Sequence, residues 1–436
     1  MKHFMQWLRP GLSIKRWMLL FSIGILVLVF GATLILNYQI FGILEEKMLL
    51  FAFQMTGSYS YTFLAICGTI LVILGLWIMV TAVRKLMKRF VELLAPDQKE
   101  VSKQLLSKME LSRGPKVVAI GGGHGLSMLL RGLKNKTSNI TAIVTVADDG
   151  GSSGRLREEM GIIAPGDLRN CLVALADKET VLEEIFQYRF GGEGELAGHS
   201  LGNLFLAALI KQFGSVQNAL EAASKVLNIR GQVMPATSQT VRLKARMSDG
   251  EIVEGESEIS AYPEKKGRDI RIVHMSTIRD ADLITLGPGS LYTSVLPNLL
   301  VPEILQTIRE SGAPVIYICN VMTQPGETSG YTVGDHLKAL VDHIGGGVVD
   351  FVLANTGTPA ADVLKKYEKA HAYPVSIDRK KVESLGASLI EADLLGPARE
   401  AVQDTNVLAE ELMQIHNLLQ AKIPPEALDE YLKRSH

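Results

Sequence analysis

Two long apolar stretches near the start constrain this chain more than any other feature. The first runs from Trp17 to Leu44 and the second from Met48 to Val83, and neither contains a charged residue. A helix needs about 20 apolar residues to cross a hydrocarbon core that is about 30 Å thick. The first run is too long for a cleaved signal peptide, and no small-residue cleavage site follows it. We therefore predict a transmembrane hairpin in residues 1–90, with spans at about 17–40 and 58–83.

Basic residues flank this hairpin on both sides. Four precede the first span and four follow the second: Lys2, Arg9, Lys15, Arg16, Arg84, Lys85, Lys88 and Arg89. Positive flanks stay on the cytoplasmic side of a membrane. The sequence therefore predicts a multi-pass protein of the cell membrane with both termini in the cytoplasm, and it predicts contact between the second flank and anionic lipid head groups.

Composition excludes several classes of function. Cys67, Cys171 and Cys319 show no C-x-x-C spacing, so neither a disulfide framework nor a zinc site is predicted. The 45 basic and 46 acidic residues leave a net charge of −1, with no basic block beyond the membrane flanks. Nucleic acid is therefore not expected as a partner.

Strands and helices alternate after the hairpin. A polar linker at residues 91–114 precedes a domain that we predict to extend from 115 to about 425. Strands are predicted at Lys116–Ile120 and Ile140–Val146, with a glycine loop and a helix between them. Later apolar runs start at Ala281, Ala313, Val349 and Tyr373. This alternation is typical of a parallel α/β sheet covered by helices.

One region breaks the alternation, at about residues 238–275. Two strand-like segments there are joined by Asp249-Gly250, which favours a hairpin turn, and Asp269–Met275 is a candidate third strand. We predict a small antiparallel β insertion. The last segment, Asn406–Leu432, predicts a closing helix and a tail.

The motif AIGGGHGLS follows the first strand and opens a helix, which is a favourable place for an anion. Gly122, Gly123 and His124 are therefore candidate ligand contacts. The motif is not a full dinucleotide fingerprint, because Leu126 stands where the third glycine belongs. A tight turn without any ligand remains an alternative.

The motif TVADDGGSSGRLR follows the second strand. Asp148 and Asp149 come about 25 residues after the glycine loop, where α/β folds place an acid against a ribose hydroxyl, so they are predicted to bind hydroxyls or a hydrated cation. The next residues offer amides, hydroxyls and a cation to an anion: Gly151, Ser152, Ser153 and Arg155. A phosphorylated ligand rich in hydroxyls satisfies both halves. Arg157 is expected either to contact it or to be a solvated side chain.

Two further motifs place polar groups on otherwise apolar helices. In APGDLRNCLVALA, Asp167 is predicted to cap a helix and Asn170 lies off its apolar face. In GHSLGNLFLAAL, His199 and Asn203 need partners, and a ligand is one possibility.

A second glycine loop occurs in TLGPGSLYTSVLP. Gly287, Gly289 and Ser290 can hold another phosphate, and two such loops fit a diphosphate better than a monophosphate. Asn320 and Thr323 leave the end of the next predicted strand, where a plain polar loop is the alternative. No Gly-x-Ser-x-Gly motif, Cys/His pair or metal-spaced histidines occur in the sequence, so no catalytic residue or metal site is assigned.

Six ordered motifs give a resemblance to a known family. They are VVAIGGGHGLSMLLRGL, ITAIVTVADDGGSSGRLR, PGDLRNCLVALAD, GHSLGNLFLAAL, GPGSLYTSVLPNLLVP and YICNVMTQPGET. Over about Pro115 to Ile415 the chain closely resembles the YvcK-type gluconeogenesis factors, which are related to the 2-phospho-L-lactate transferases of deazaflavin coenzyme synthesis. The resemblance implies a Rossmann-like sheet with a smaller subdomain.

The resemblance also implies a function. Such a protein binds a UDP-sugar, UDP-N-acetylglucosamine or UDP-glucose, and is required for cell shape and wall synthesis during gluconeogenic growth, through a protein partner. No cofactor is required and no reaction is assigned to this branch; homo-oligomers are left open. The alternative is a phosphoryl-group transferase of the 2-phospho-L-lactate type that uses Mg²⁺, and a scaffold with a vestigial pocket is a third reading.

Two departures from the family are visible. The shorter soluble members lack the membrane hairpin. Where an Arg-His-Asp/Asn run is expected, this chain has Val402, Gln403 and Asp404, and Arg399 is the nearest candidate replacement. Tyr367 stands where a ring can stack on uracil, although an ordinary half-buried tyrosine is the alternative.

Overall fold

The structure is a computed structural model, which describes residues 14–36, 46–47, 50–51, 53–54, 61–94, 108–177, 179–238, 243–246, 252–255 and 276–423. Two compact units divide the chain between Ser107 and Lys108. The first unit contains the apolar helices and the second contains the sheet.

Two apolar helices form the first unit. Helix α1 (Ile14–Leu36) and helix α2 (Tyr61–Leu94) contain windows, Trp17–Ile35 and Ala65–Lys88, that are long and apolar enough to cross a membrane by length and composition. Helix α2 continues through its basic residues without a break. The connection predicted at residues 37–60 lies almost entirely outside the described residues.

The two helices pack antiparallel with their backbones in contact. A Cβ atom on Gly31 would lie 2.7 Å from the Gly68 carbonyl oxygen, so no side chain fits between the helices at this level. At the opposite end the Lys85 ammonium lies 4.5 Å from the centre of the Trp17 ring. This cation–π contact joins the start of α1 to the basic end of α2.

A seven-stranded parallel sheet is the core of the second unit. Its strands are β1 (Val117–Gly121), β2 (Ile140–Val144), β3 (Gln232–Pro235), β6 (Leu283–Leu286), β7 (Val315–Ile318), β8 (Phe351–Asn355) and β9 (Ser388–Ala392). Their order is β3-β2-β1-β6-β7-β8-β9, and every neighbouring pair is parallel. The predicted parallel α/β fold is confirmed.

Helices cover both faces of this sheet. They are α3 (Gly123–Leu133), α4 (Gly151–Met160), α5 (Gly166–Leu175), α6 (Glu179–Gln187), α7 (Leu201–Phe213), α8 (Val216–Leu227), α9 (Ser276–Arg279), α10 (Leu296–Leu299), α11 (Pro302–Ser311), α12 (Val333–Ile344), α13 (Ala361–Glu368), α14 (Arg379–Ser384) and α15 (Thr405–Gln420). A π-helical turn, Leu291–Val295, precedes α10.

Alternate residues of β1 face the two layers. Val117 and Ala119 pack in the core on one face, whereas Val118 and Ile120 pack in the core on the other. All four are at most 1 % exposed. Burial of both faces explains why this strand is a continuous apolar run rather than an alternating one.

The strand predicted to start at Tyr373 is wrong. Only Pro374 there makes an isolated bridge, to Met322. A proline has no backbone N–H to donate, which disfavours a central strand. The edge strands are instead Gln232–Pro235 and Ser388–Ala392, which the sequence analysis did not identify because they carry a weaker apolar pattern.

The region of the predicted insertion contains two short strands. Strand β4 (Lys244–Arg246) pairs antiparallel with strand β5 (Ile252–Glu254). The predicted turn at Asp249-Gly250 and the candidate strand Asp269–Met275 lie outside the described residues, as does the end of the predicted tail beyond Ile423.

The strand order reverses direction at β1. The chain proceeds from β1 to β2 and β3 on one side, and then returns to place β6 on the other side of β1. In open α/β sheets, the crevice beyond the carboxyl ends of the strands at such a reversal is where ligands bind. The loops that follow β1 and β6 lie at this crevice and are therefore the candidate ligand-binding loops.

Helix α3 depends on a close approach to α15. A Cβ atom on Gly132 would lie 2.1 Å from the carbonyl oxygen of Thr405. We expect Gly132→Ala to lower the free energy of unfolding by about 1–2 kcal/mol, because overpacking of about 1–3 kcal/mol exceeds the helix propensity of about 1 kcal/mol that alanine gains. Urea unfolding of residues 108–436, followed by circular dichroism, measures the change.

Gly194→Ala is the matched control. A Cβ atom on Gly194 would meet nothing within 4 Å, so this variant should stay within about 0.5 kcal/mol of the wild type. Equal stability of the two variants would contradict the close packing of α3 against α15.

Candidate functional site

The loop between β1 and α3 brings backbone amides to the carboxyl end of the sheet. Gly122 is extended, and a Cβ atom there would lie 2.4 Å from Thr145 Cγ2 and 2.7 Å from Asp167 Oδ2. Gly123 has a left-handed φ of +63°, which favours glycine. Its N–H donates to Asp167 Oδ2 at 2.7 Å. These contacts explain two of the glycines without any ligand, and they fix the start of α3.

A second loop follows β6 and is braced by side chains from the end of β7. Asn320 donates from Nδ2 to the Gly289 carbonyl at 3.0 Å and accepts from the Gly289 N–H at 3.4 Å. Gln324 donates from Nε2 to Ser290 Oγ at 2.8 Å. Residues that follow two adjacent strands, β6 and β7, therefore determine the position of this glycine loop.

The two glycine loops touch each other. A Cβ atom on Gly125 would lie 2.6 Å from the carbonyl oxygen of Pro288. Beside this contact lies a cavity of about 270 Å³, lined by Gly122, Gly123, His124, Gly125, Met128, Pro288, Gly289, Ser290, Ser294, Asn320, Val321, Met322, Thr323, Gln324, Tyr367, Ala401, Val402, Gln403, Thr405 and Leu408.

The lining of the cavity is both polar and apolar. Its polar side chains include Ser290, Asn320 and Gln324, and its apolar part consists of methionines, aliphatic side chains and the Tyr367 ring. Among the residues that line it, none is Lys, Arg, Asp or Glu. A ligand here would meet hydrogen-bond donors and an apolar surface, without an ion pair.

Eight of the predicted ligand residues meet at this cavity: Gly122, Gly123, His124, Gly289, Ser290, Asn320, Thr323 and Tyr367. Ten others do not line it: Asp148, Asp149, Gly151, Ser152, Ser153, Arg155, Asn170, His199, Asn203 and Gly287. All of them stay predictions as ligand contacts. The sequence predicted one cleft for both groups, and only the first of them lines this cavity.

Four residues of the second group, Ser152, Ser153, His199 and Asn203, form a buried polar network where α4 and α7 begin. Ser152 Oγ lies 3.0 Å from His199 Nδ1, and Asn203 donates to the hydroxyls of Ser152 at 3.1 Å and Ser153 at 3.4 Å. All four side chains are at most 4 % exposed. The need of His199 and Asn203 for polar partners is therefore met largely within the protein, although Asn203 Oδ1 has no hydrogen-bond partner among the described residues.

The two arginines of α4 have different environments. Arg155 is exposed and donates to the Ala197 carbonyl at 2.7 Å. Arg157 is buried and donates to the Ala147 carbonyl at 3.2 Å. The expectation of a solvated Arg157 is wrong, because the helix begins at Gly151 and directs this side chain back toward the end of β2.

Asp167 does not cap α5 as predicted. The residue at the cap position is Pro165, and the Asp167 carboxylate instead reaches across to the Gly123 amide. The pKa of Asp167 is raised to about 6, chiefly by burial and also by the charge of Asp148, against the opposing effects of the Gly123 hydrogen bond and of Arg169. A carboxylate thus occupies one of the amides that the sequence assigned to a ligand.

Asn170 lies beside a buried arginine rather than in the cavity. Arg169 donates to Asn170 Oδ1 at 2.7 Å and to Ser200 Oγ at 2.6 Å. Burial lowers the pKa of Arg169. Its Nε has no hydrogen-bond partner among the described residues.

Residues 399–404 supply no cation to the cavity. Val402 and Gln403 line it, and Gln403 donates from Nε2 to the Cys319 carbonyl at 2.8 Å. Arg399 forms an ion pair with Asp393 instead and does not line the cavity. The proposed replacement of the family arginine by Arg399 therefore finds no support in this geometry.

Sequence reasoning did not identify about half of the lining: Gly125, Met128, Pro288, Ser294, Val321, Met322, Ala401, Thr405 and Leu408. Gly125 and Pro288 lie inside the two glycine motifs, so their position in the sequence could have identified them as residues of the site. The apolar residues give no such indication, because methionine or leucine at helical spacing is typical of any core.

Comparison with known proteins identifies the family. The family model described as 2-phospho-L-lactate transferase CofD matches residues 117–395. The gluconeogenesis factor of Bacillus subtilis (strain 168) is 47% identical over 314 residues, which cover 70% of this chain and 99% of that protein. A protein of Nostoc sp. (strain PCC 7120) is 45% identical over 404 residues, covering 89% of this chain and 87% of that protein.

A solved structure agrees with these similarities. The crystal structure of a Bacillus halodurans protein, described as a member of the upf0052 family, has a TM-score of 0.65 and 48% sequence identity. The match covers 69% of this chain and 99% of that one. On sequence and structure together, this chain belongs to the CofD family, in the group of the gluconeogenesis factors.

Proposed function

We propose that the cavity binds a UDP-sugar, and that the protein is a regulator of cell-wall precursor synthesis and cell shape during gluconeogenic growth. The observation that carries this proposal is the pair of touching glycine loops at the reversal of strand order. Such a position is where α/β sheets of this type bind nucleotides. The proposal extends to UDP-N-acetylglucosamine and UDP-glucose, which share the same diphosphate.

The polar and apolar residues of the lining suit the two parts of such a ligand. The Gly123 amide donates to Asp167, but the following amides of α3 and the Ser290 hydroxyl can donate to diphosphate oxygens, aided by the positive end of the helix dipole. The Tyr367 ring and the apolar side chains can hold the base. Asn320 and Gln324 then act by keeping the second loop in place.

The lining favours binding over chemistry. His124 and Tyr367 are the ionisable side chains among the residues that line the cavity. A general base must lie within hydrogen-bond reach of the proton that it abstracts, and His124 alone offers one here. We therefore propose a sensor that reports the ligand to a protein partner.

The cellular role rests on the relatives and on the first unit. A relative that is 47% identical is named a gluconeogenesis factor, and we extend that growth condition to this chain. The two apolar helices support a place at the cell membrane, with the cavity on the cytoplasmic side. There the protein would lie close to the enzymes that build wall precursors on the membrane.

A phosphoryl-group transferase is the second candidate, favoured by the description of the matching family model. Asp148 and Asp149 would then hold Mg²⁺, which stabilises charge on a transferring phosphoryl group. Among the described residues, no three His, Cys, Asp or Glu side chains are grouped for a metal ion. Two carboxylates fit such an ion only if ligand phosphates complete its coordination.

Calorimetry of the full chain in detergent, with UDP-N-acetylglucosamine and with UDP-glucose, tests the proposed function. We expect binding without Mg²⁺ and no product. Replacing the exposed His124 by alanine should weaken binding about fivefold, or about 1 kcal/mol, because a polar contact at the cavity is lost. His371→Ala, also exposed but outside the cavity, is the control and should bind normally.

The outcomes separate the candidates. Turnover of a phospholactyl donor that requires Mg²⁺ would favour the transferase. If neither UDP-sugar binds, with or without Mg²⁺, the remaining hypothesis is a scaffold with a vestigial pocket.

Position 402 tests the charge of the ligand. Val402 is 37% exposed, and none of the residues that line the cavity is Lys or Arg. We expect Val402→Arg to tighten UDP-sugar binding about tenfold, because a guanidinium pairs strongly with phosphate oxygens. Val402→Met, of similar length without charge, should not tighten it. A gain in both variants, or in neither, would argue against a diphosphate near this residue.

Asp167 predicts a pH dependence of binding. Its folded pKa of about 6 means that it is mostly ionised at pH 7.5 and mostly neutral at pH 5.5. An anion beside Gly123 is repelled by the ionised form only, so affinity should rise about fivefold as the pH falls through this window. Asp167→Asn should bind tightly at both pH values, and the same titration in His124→Ala isolates the imidazole contribution. A slope that persists in Asp167→Asn would exclude this carboxyl as its cause.

A further inference from the structure

Helix α13 has two chemically different faces. Its inner face, Val363, Leu364 and Tyr367, packs in a small cluster with Val321 and Met322. Tyr367 from this face also lines the cavity. The helix is therefore one side of the cavity rim, and its other face is turned to solvent.

Three lysines lie on the exposed side of α13 and directly after its last residue. Lys365, Lys366 and Lys369 are exposed, and none has a hydrogen bond or ion pair with any residue that the structure describes. They outnumber the exposed acids of the same segment, Asp362 and Glu368. We call these three lysines the basic face.

The chain after α13 adds an aromatic side chain to the same rim. Tyr373 is 49% exposed. Its carbonyl accepts from the Thr323 N–H at 2.7 Å, and its own N–H donates to the Thr323 hydroxyl at 2.9 Å. Thr323 lines the cavity. Tyrosine is enriched where proteins meet the head-group region of a bilayer, because its ring is apolar and its hydroxyl is polar.

The covalent connection to α2 limits how far Lys108, the first residue of the second unit, can be from the end of α2. Residues 95–107 join the last residue of α2 to the second unit. A segment of that length reaches at most about 45 Å even when fully extended. Tethering at this length gives a high effective concentration of lipid, so a small docking surface is sufficient.

We propose that the basic face docks on the anionic head groups of the cytoplasmic leaflet and thereby holds the cavity rim at the membrane surface. This inference rests on the membrane location in the proposed function. Clusters of lysine beside a membrane are attracted to anionic lipid. The three lysines do not line the cavity, and they are not among the side chains that pack in the cluster with Val321 and Met322.

Docking in this orientation has a functional consequence. In this orientation the ligand enters and leaves the cavity beside the bilayer. The membrane-docked protein then presents the rim of the cavity to partners that act at the membrane surface. Anionic lipid content then becomes a second input, separate from the nucleotide sugar.

Quenching of a fluorophore tests the orientation. The full chain with Cys67→Ser and a fluorophore at His371→Cys is placed in nanodiscs that contain a head-group spin label, with either pure phosphatidylcholine or 30% phosphatidylglycerol. We expect about threefold stronger quenching with phosphatidylglycerol, lost in 0.5 M salt because charge attraction is screened. Equal quenching in both lipids would overturn the proposal.

Two matched triple variants complete the test. Lys365→Gln with Lys366→Gln and Lys369→Gln should remove the lipid-dependent quenching, whereas Lys211→Gln with Lys225→Gln and Lys422→Gln, which removes the same charge from other exposed positions, should retain it. Loss of the lipid-dependent quenching in both variants would overturn the proposal, because the net charge of the protein would then explain the quenching without the basic face.

Calorimetry separates this inference from the proposed function. Both triple variants should bind UDP-N-acetylglucosamine like the wild type, which also shows that they fold. Weaker binding only in the variant of the basic face would assign its lysines to the nucleotide site instead of the membrane. A wild-type chain that is quenched by anionic lipid but binds no UDP-sugar would contradict the proposed function and leave the docking intact.

Discussion

Contact between two backbones is the constraint on which the rest of the second unit depends. Gly125 and Pro288 approach so closely that even a methyl group does not fit, and this joins the loop after β1 to the loop after β6. Asn320 then braces the second loop from the end of β7. Three strand ends are thereby fixed relative to one another, and the cavity takes its shape from their spacing.

Much of the parallel sheet could be predicted from sequence, because its central strands are buried on both faces and read as uninterrupted apolar runs. Val117–Gly121 and Val315–Ile318 are of this kind. The edge strand Gln232–Pro235 could not be found in that way, since an edge strand is only half covered. The segment that starts at Tyr373 was predicted to be a strand because it is apolar. It contains a proline, and it forms only an isolated bridge.

The candidate site was predictable where backbone chemistry determines it and not elsewhere. Glycines between a strand and a helix identify the first loop from sequence alone. The connection between Asp167 and Gly123 spans 44 positions and leaves no local pattern, so the carboxylate was assigned to a cap. Ser152 and His199 were assigned to a ligand because a sequence shows that a polar group needs a partner but not that another buried side chain supplies it.

The position of α15 has a consequence for how the protein is made. Thr405 contacts the glycine of α3, and both Thr405 and Leu408 line the cavity. Residues near the end of the chain therefore complete a wall that begins at residue 122. A ribosome must finish almost the whole domain before the wall exists, and a chain cut before α15 lacks it.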